Sequence, residues 1–193
     1  MVRLNDPDRF AHFVEQLSST LGVEPEIREV PPREPGDGQV FALIYADTPE
    51  PGFISGFTYG LSLWEGADSL SSSRELCIVM RSNDSEWAKV PAITVAALRG
   101  MCPFDPGMVI GYMKPYVPGS GLSSLLLAVP SPRLMLADQI DLARSGMGSG
   151  DFVEIIGAYP IYASERKIIH AQGAGVVWNS EWDPYDPARP AVV

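Results

Sequence analysis

Apolar residues recur at Phe10, Phe13, Val14, Leu17 and Leu21, the spacing of one helical face. Asn5-Asp6-Pro7 ahead of them offers a capping side chain and a proline suited to a first turn, and Gly22 ends the run. Residues 26–30 read as a short strand and 31–38 as a polar loop rich in Pro and Gly. From Gln39 the pattern changes to short apolar runs. Strands are predicted over 40–45, over 54–63 with Phe57, Tyr59 and Leu61 supplying bulk, and over 75–81 as a central strand. Residues 65–73 form a polar loop and Ser82-Asn83-Asp84-Ser85 a turn.

Pro91 belongs in a first helical turn rather than an interior, so a helix is predicted from Pro91 to about Met101, with Trp87 as an anchor ahead of it. Residues 109–113 and 122–129 are further strands, separated by a turn holding Pro115, Pro118, Gly119 and Gly121. Residues 133–143 admit two readings: a helix capped by Ser131-Pro132, or a hairpin arm over 139–143 facing a strand over 152–159. The Gly-rich turn 145–150 favours the hairpin. Pro160 is expected to end that strand. A last helix opens at Ala163-Ser164-Glu165 and closes at Gly173; Val176-Val177-Trp178 reads as an edge strand, and the tail with Pro184, Pro187 and Pro190 as extended.

These elements predict an α+β domain with a mixed, largely antiparallel sheet flanked by helices, an α/β sandwich. The length of 193 residues suits one domain, 46% hydrophobic residues suffice for a core, and 18 Gly with 18 Pro imply many turns. The net charge of −10 argues against nucleic acid and anionic membrane as partners and permits a basic protein, although excess acid also simply keeps a protein soluble. Cys77 lies in an apolar run and Cys102 after a helical stretch. Without a CxxC pair they read as reduced thiols of a cytoplasmic protein, with a disulfide between them as the alternative. The first residues do not form a signal peptide, and no apolar stretch approaches the ~20 residues that span a bilayer.

Candidate chemistry is sparse. His12 and His170 are the only histidines and lack ligand spacing. Gly146-Met147-Gly148-Ser149-Gly150 precedes a strand, whereas a phosphate loop precedes a helix. No serine sits in GxSxG. Asp138 with Asp141, and Asp183 with Asp186, read as solvated surface rather than metal ligands. No acid–base constellation assembles, so no catalytic residue, cofactor or metal is expected. Trp64 opens the acidic, Ser-rich loop 65–73; it is either an interface anchor or a core side chain.

The series Phe57-Thr58-Tyr59-Gly60-Leu61-Ser62-Leu63-Trp64, Arg74-Glu75-Leu76-Cys77-Ile78-Val79-Met80, Trp87 with Pro91-Ala92 and Leu98, Ser124-Leu125-Leu126-Leu127 with Pro130, and Pro160-Ile161-Tyr162-Ala163-Ser164-Glu165 resembles the Suppressor of fused-like family, in order, over roughly 40–178. Three residues separate Trp87 from Pro91, where the family has Trp next to Pro. The resemblance implies a core over 39–178, preceded by an N-terminal unit over 1–38 and followed by the tail 179–193. Animal members sequester a transcription factor, gripping a strand-like peptide with the help of a second domain for which this chain has no room. Short bacterial members resemble immunity proteins of polymorphic toxin systems. The resemblance therefore implies a non-enzymatic immunity protein acting by steric occlusion, or alternatively a regulatory scaffold capturing a strand-like peptide. The partner-contacting aromatic falls on Trp64, and its neighbouring acid on Asp68.

Overall fold

The computed structural model describes residues 6–34, 36–63, 73–111, 114–137, 139–143 and 150–192. Helix α1 (Pro7–Leu21) starts as its sequence dictates: the Asp6 carboxylate accepts from the amides of Asp8 and Arg9 at 3.1 and 3.4 Å. Gly22, with φ of 75°, closes it by donating to the Ser18 carbonyl at 2.8 Å. Strands β1 (Glu26–Val30), β2 (Val40–Ala46), β3 (Ile54–Tyr59) and β4 (Arg74–Met80) follow, then α2 (Glu86–Leu98). Strands β5 (Val109–Gly111) and β6 (Ser124–Ala128), a 3-10 turn (Pro132–Leu134), β7 (Gln139–Asp141) and β8 (Phe152–Ile161) complete the sheet. Helices α3 (Ala163–Gln172) and α4 (Gly175–Trp178) come last.

The sheet has eight strands in the order β1-β2-β3-β4-β8-β6-β5, with β7 also paired to β8. Every pairing is antiparallel except β4 with β8, which run parallel with Arg74 opposite Glu154. Central strands are buried on both faces, and alternation sorts their side chains. Val40, Ala42, Ile44, Leu76, Ile78 and Met80 pack with α2, whereas Leu43, Tyr45, Phe57, Cys77 and Val79 pack with Phe13 and Leu17 of α1. The architecture is thus helix, sheet, helix. A third cluster joins Leu126, Tyr159 and Ile161 to Ile169 of α3 and Val177 of α4. Gly56 permits the close approach of α2, since a Cβ there would collide with the backbone of Ala88.

Four expectations are corrected. Helix α2 begins at Glu86, not Pro91, and Pro91 lies inside it. The missing amide costs about 3 kcal/mol. Burying Trp87, Ala88 and Val90 against the sheet offsets it, at about 1.5–3 kcal/mol for a large side chain. The Asp84 carboxylate accepts from the Glu86 amide at 3.0 Å, so a start signal existed upstream. Strand β8 continues through Pro160 to Ile161. The Ile161 carbonyl accepts from the Ser123 amide beside β6, so Pro160 faces the other way, past the end of the β4 ladder, where a missing N–H breaks no strand bond. Residues 176–178 are helical because Val177 is buried in the third cluster and α4 packs on α3, overriding β propensity. Strand β3 stops at Tyr59 rather than at residue 63, for a reason given below. The hairpin reading holds: Gln139–Asp141 pairs antiparallel with Phe152–Glu154.

Residues 179–192 contain no helix or strand and fold back onto the domain. The Arg81 amide donates to the Tyr185 carbonyl at 2.8 Å, and the Tyr185 and Ser131 hydroxyls bond at 2.8 Å. Arg189, 4% exposed, makes a bidentate pair with the fully buried Glu165 at 2.6 and 2.7 Å. Burial alone would raise the Glu165 pKa. The Arg189 guanidinium and the amides of Tyr162 and Val192 hold it below the usual carboxylate value instead.

Candidate partner-binding face

The parallel pair β4 and β8 starts at one end of the sheet, where β3 also ends. Glu75 is the hub of that end. It is fully buried, and five donors converge on it. Its Oε1 accepts from the Gly60 amide at 2.8 Å, the Ser62 amide at 3.0 Å and the Ser62 hydroxyl at 2.7 Å. Its Oε2 accepts from the Thr58 hydroxyl at 2.5 Å and the Leu61 amide at 3.3 Å. Thr58 Oγ1 in turn accepts from the Leu76 amide at 2.8 Å. This is why β3 ends early: residues 60–62 leave the ladder to point their amides at one carboxylate. Gly60 allows the departure. Its φ is 140°, and a Cβ would lie 2.7 Å from the Gln39 carbonyl. Arg99 of the α2 cap donates to the carbonyls of Gly60 and Gly38 at 2.6 and 2.9 Å; burial lowers its pKa, opposed by the charges of Glu75 and Asp37.

A second network covers the rim. Arg9 of α1 grips Asp151 bidentately at 2.7 and 3.1 Å and donates to the hydroxyls of Tyr59 and Ser62 at 3.1 and 3.2 Å. Burial by itself would lower the Arg9 pKa, but these partners raise it; burial raises that of Tyr59, eased by Arg9. Beside it lies a cleft of ≈ 290 Å³ lined by Ser73, Arg74, Gln139, Gly150, Phe152 and Glu154. Arg74 bridges Asp105 and Glu154, the latter at 2.9 Å. The Phe152 ring is 46% exposed.

Trp64 and Asp68 lie outside the described residues, as does Asp138. The described residues on either side of 64–72, Leu63 and Ser73, stand on this face: Leu63 is buried, and the Ser73 carbonyl accepts from the Glu154 amide at 2.7 Å. Asp141 accepts from the Ala143 amide, and Asp183 pairs with Arg81 at 2.9 Å; both serve the surface. His12 and His170 are partly or fully exposed on their helices, and among the described residues no group of three or more His, Cys, Asp or Glu could hold a metal ion. Cys77 and Cys102 are free thiols. No helix among the described residues is long and apolar enough to cross a membrane. Sequence reasoning missed Glu75 as a hub and the Arg9–Asp151 pair. The legible signal for Glu75 was one carboxylate heading an otherwise apolar strand.

Fold and face define an α+β domain whose sheet end is stapled by a buried carboxylate beneath a rimmed cleft. No protein-family model matches the chain, and no curated protein matches it. Solved structures do. A protein described as a SUFU (suppressor of fused protein) homolog from Neisseria gonorrhoeae aligns with a TM-score of 0.66 and 16% identity over 97% of this chain and 96% of that one. A chain in the crystal structure of the Sufu-Fu complex aligns at 0.60 and 15%, over 94% and 91%. Drosophila Suppressor of Fused aligns at 0.60 and 15%, over 95% of this chain but 50% of that one, so this chain spans about half its length. The fold is that of a Suppressor of fused-like domain.

Proposed function

We propose that this chain is a non-enzymatic protein-binding domain, an immunity protein that neutralises a polymorphic toxin in the bacterial cytoplasm by occluding it. The observation that carries the reading is the full-length likeness to a bacterial SUFU homolog, joined to the likeness to a chain from a Sufu-Fu protein complex. The described face agrees with it. The carboxylates there are committed to structural partners: Glu75 to five donors, Asp151 to Arg9, Asp105 and Glu154 to Arg74. Among the described residues the face offers an exposed aromatic, Phe152, and it carries Leu63 and Ser73, between which Trp64 and Asp68 fall in the sequence. The net charge of −10 suits a basic toxin and rapid, salt-sensitive association.

The test is co-expression with a toxin domain encoded beside this chain. The expected result is survival and a stable complex that Trp64→Ala weakens by about tenfold or more. Death of the co-expressing cells, with no complex recovered, would refute the reading. A second reading, a scaffold capturing a strand-like peptide, draws support from β1, which among the described residues pairs on one side only. Gain of β-structure on adding a short peptide would favour it.

A further inference from the structure

Strand alternation gathers one set of side chains where β7, β8 and β4 run side by side. Phe152 and Glu154 are two apart on β8 and so share a face. On β7, Asp141 stands directly opposite Phe152 and Gln139 opposite Glu154. On β4, Arg74 stands opposite Glu154 from the other side. Arg74, Gln139, Phe152 and Glu154, with Ser73 and Gly150, line the cleft of ≈ 290 Å³. The Phe152 ring folds over Gly150, in the space a side chain there would fill, and it lines the cleft wall rather than the core.

Acids outnumber bases around this ring. Arg74 is the one base among the lining residues, and two carboxylates already neutralise it, Glu154 and Asp105, whose side chains stay 39% and 49% exposed. Arg74 takes Oε2 of Glu154 and leaves Oε1 open to the cleft. Asp141 is exposed and has no ion pair among the described residues; its Oδ1 accepts from the Ala143 amide at 2.8 Å. Three carboxylates thus face one guanidinium, while Arg9 and Asp151 close by offset each other. In sequence, residues 64–72, 138 and 144–149 hold Glu65, Asp68 and Asp138 against Arg144, so the neighbouring stretches do not reverse the sign.

We infer that this cleft anchors the protein partner by receiving one of its arginine side chains, stacked on Phe152 between Glu154 and Asp141. The inference deepens the protein-binding reading and rests on its basic partner. An aromatic face and surplus carboxylates both attract a cation. A guanidinium suits the place better than an ammonium. It is planar, lies flat on a ring, sheds water more readily, and its fork of donors reaches carboxylates on two sides. A carboxylate of the partner would find Arg74 already paired and would be repelled by the acids that hold it. The volume lies at the lower end of the ~300–1,000 Å³ of small-molecule sites, which fits a single side chain.

The test is an NMR titration of the isotope-labelled full chain, at matched ionic strength, with N-acetyl-arginine amide, its uncharged citrulline counterpart and N-acetyl-glutamate amide. The arginine compound should give saturable shifts at Gln139, Gly150, Phe152 and Glu154. The citrulline compound should bind more weakly by about tenfold. Phe152→Leu, which keeps an apolar side chain at an exposed position, and Asp141→Asn, which keeps the oxygen that serves Ala143, should each weaken arginine binding by about two- to fivefold with an unchanged thermal transition. No saturable shift at these residues, equal binding of citrulline, unchanged affinity in both variants, or tighter binding of the glutamate compound would each overturn the inference. No toxin enters the titration. A toxin that binds a chain whose cleft ignores arginine sinks the anchor alone, and a cleft that takes arginine on a chain that captures no toxin sinks the immunity reading alone.

Discussion

Replacing Glu75 by Gln keeps the shape of the side chain and removes half of what it does. An amide has one acceptor oxygen. Placed at Oε1 it keeps Gly60 and both groups of Ser62, but its NH₂ then meets the Leu61 amide and the Thr58 hydroxyl, whose lone pair already serves Leu76. At least one buried donor is left unpaired, at about 1–3 kcal/mol, and the retained bonds lose their charge assistance. The expected loss is about 2–4 kcal/mol. Glu75→Ala strands all five donors and opens a cavity, so it should cost more than about 4 kcal/mol.

A domain of this kind is stable by about 5–15 kcal/mol. With a urea slope of about 2 kcal/mol per molar, Glu75→Gln should lower the urea midpoint by about 1–2 M at neutral pH, followed by tryptophan fluorescence. Glu75→Ala should express poorly or unfold near the start of the titration. The reasoning fails if Glu75→Gln stays within about 0.5 kcal/mol of the parent, or if Gln and Ala behave alike, because either result means the five donors find other partners.

Gly60→Ala should destabilise by about 1–3 kcal/mol in the same assay, since a side chain is strained at a φ of 140° and would crowd the Gln39 carbonyl. Arg189→Met should cost about 3–5 kcal/mol by leaving Glu165 buried without its counter-ion, and Glu165→Leu/Arg189→Met should recover most of it. Because the folded Glu165 pKa is depressed, its stabilisation is complete above the ordinary value near 4.5 and disappears as pH falls through the lower folded value. The acid limb of the stability curve should therefore be shallower in Arg189→Met. Cys77, whose thiol burial pushes up to about 12, should resist a thiol reagent until unfolding, while the half-buried Cys102 reacts more slowly than a free thiol because burial raises its pKa too.

What the sequence made legible was what neighbouring residues decide. The Asp6-Pro7 start and Gly22 stop of α1, the apolar runs of β2 and β4, and the arm at 139–141 all follow from local patterns. Pro91 and Pro160 misled because a proline rule speaks only for the local backbone; buried Trp87 in one case and an unpaired strand side in the other overrode it. The site was harder to read. Arg9 and Asp151 are 142 positions apart, and Glu75 draws its donors from 13 to 17 positions back, so no window along the chain unites them.

That geometry also gives the family resemblance a physical meaning. Thr58, Gly60, Ser62 and Glu75 carried the likeness in sequence, and in the structure they are one buried network. Each is needed for a reason a partner cannot supply: Gly60 for its backbone, Thr58 and Ser62 for their hydroxyls, Glu75 for two acceptor oxygens below the surface. The motif therefore specifies the buried platform at this end of the sheet, which ends at Leu63 and resumes at Ser73. On the proposed reading, choice of partner rests on residues outside the network, such as Trp64 and the exposed Phe152. Substitutions in the network should change stability before affinity. Substitutions at Trp64 should change affinity and leave the urea midpoint in place.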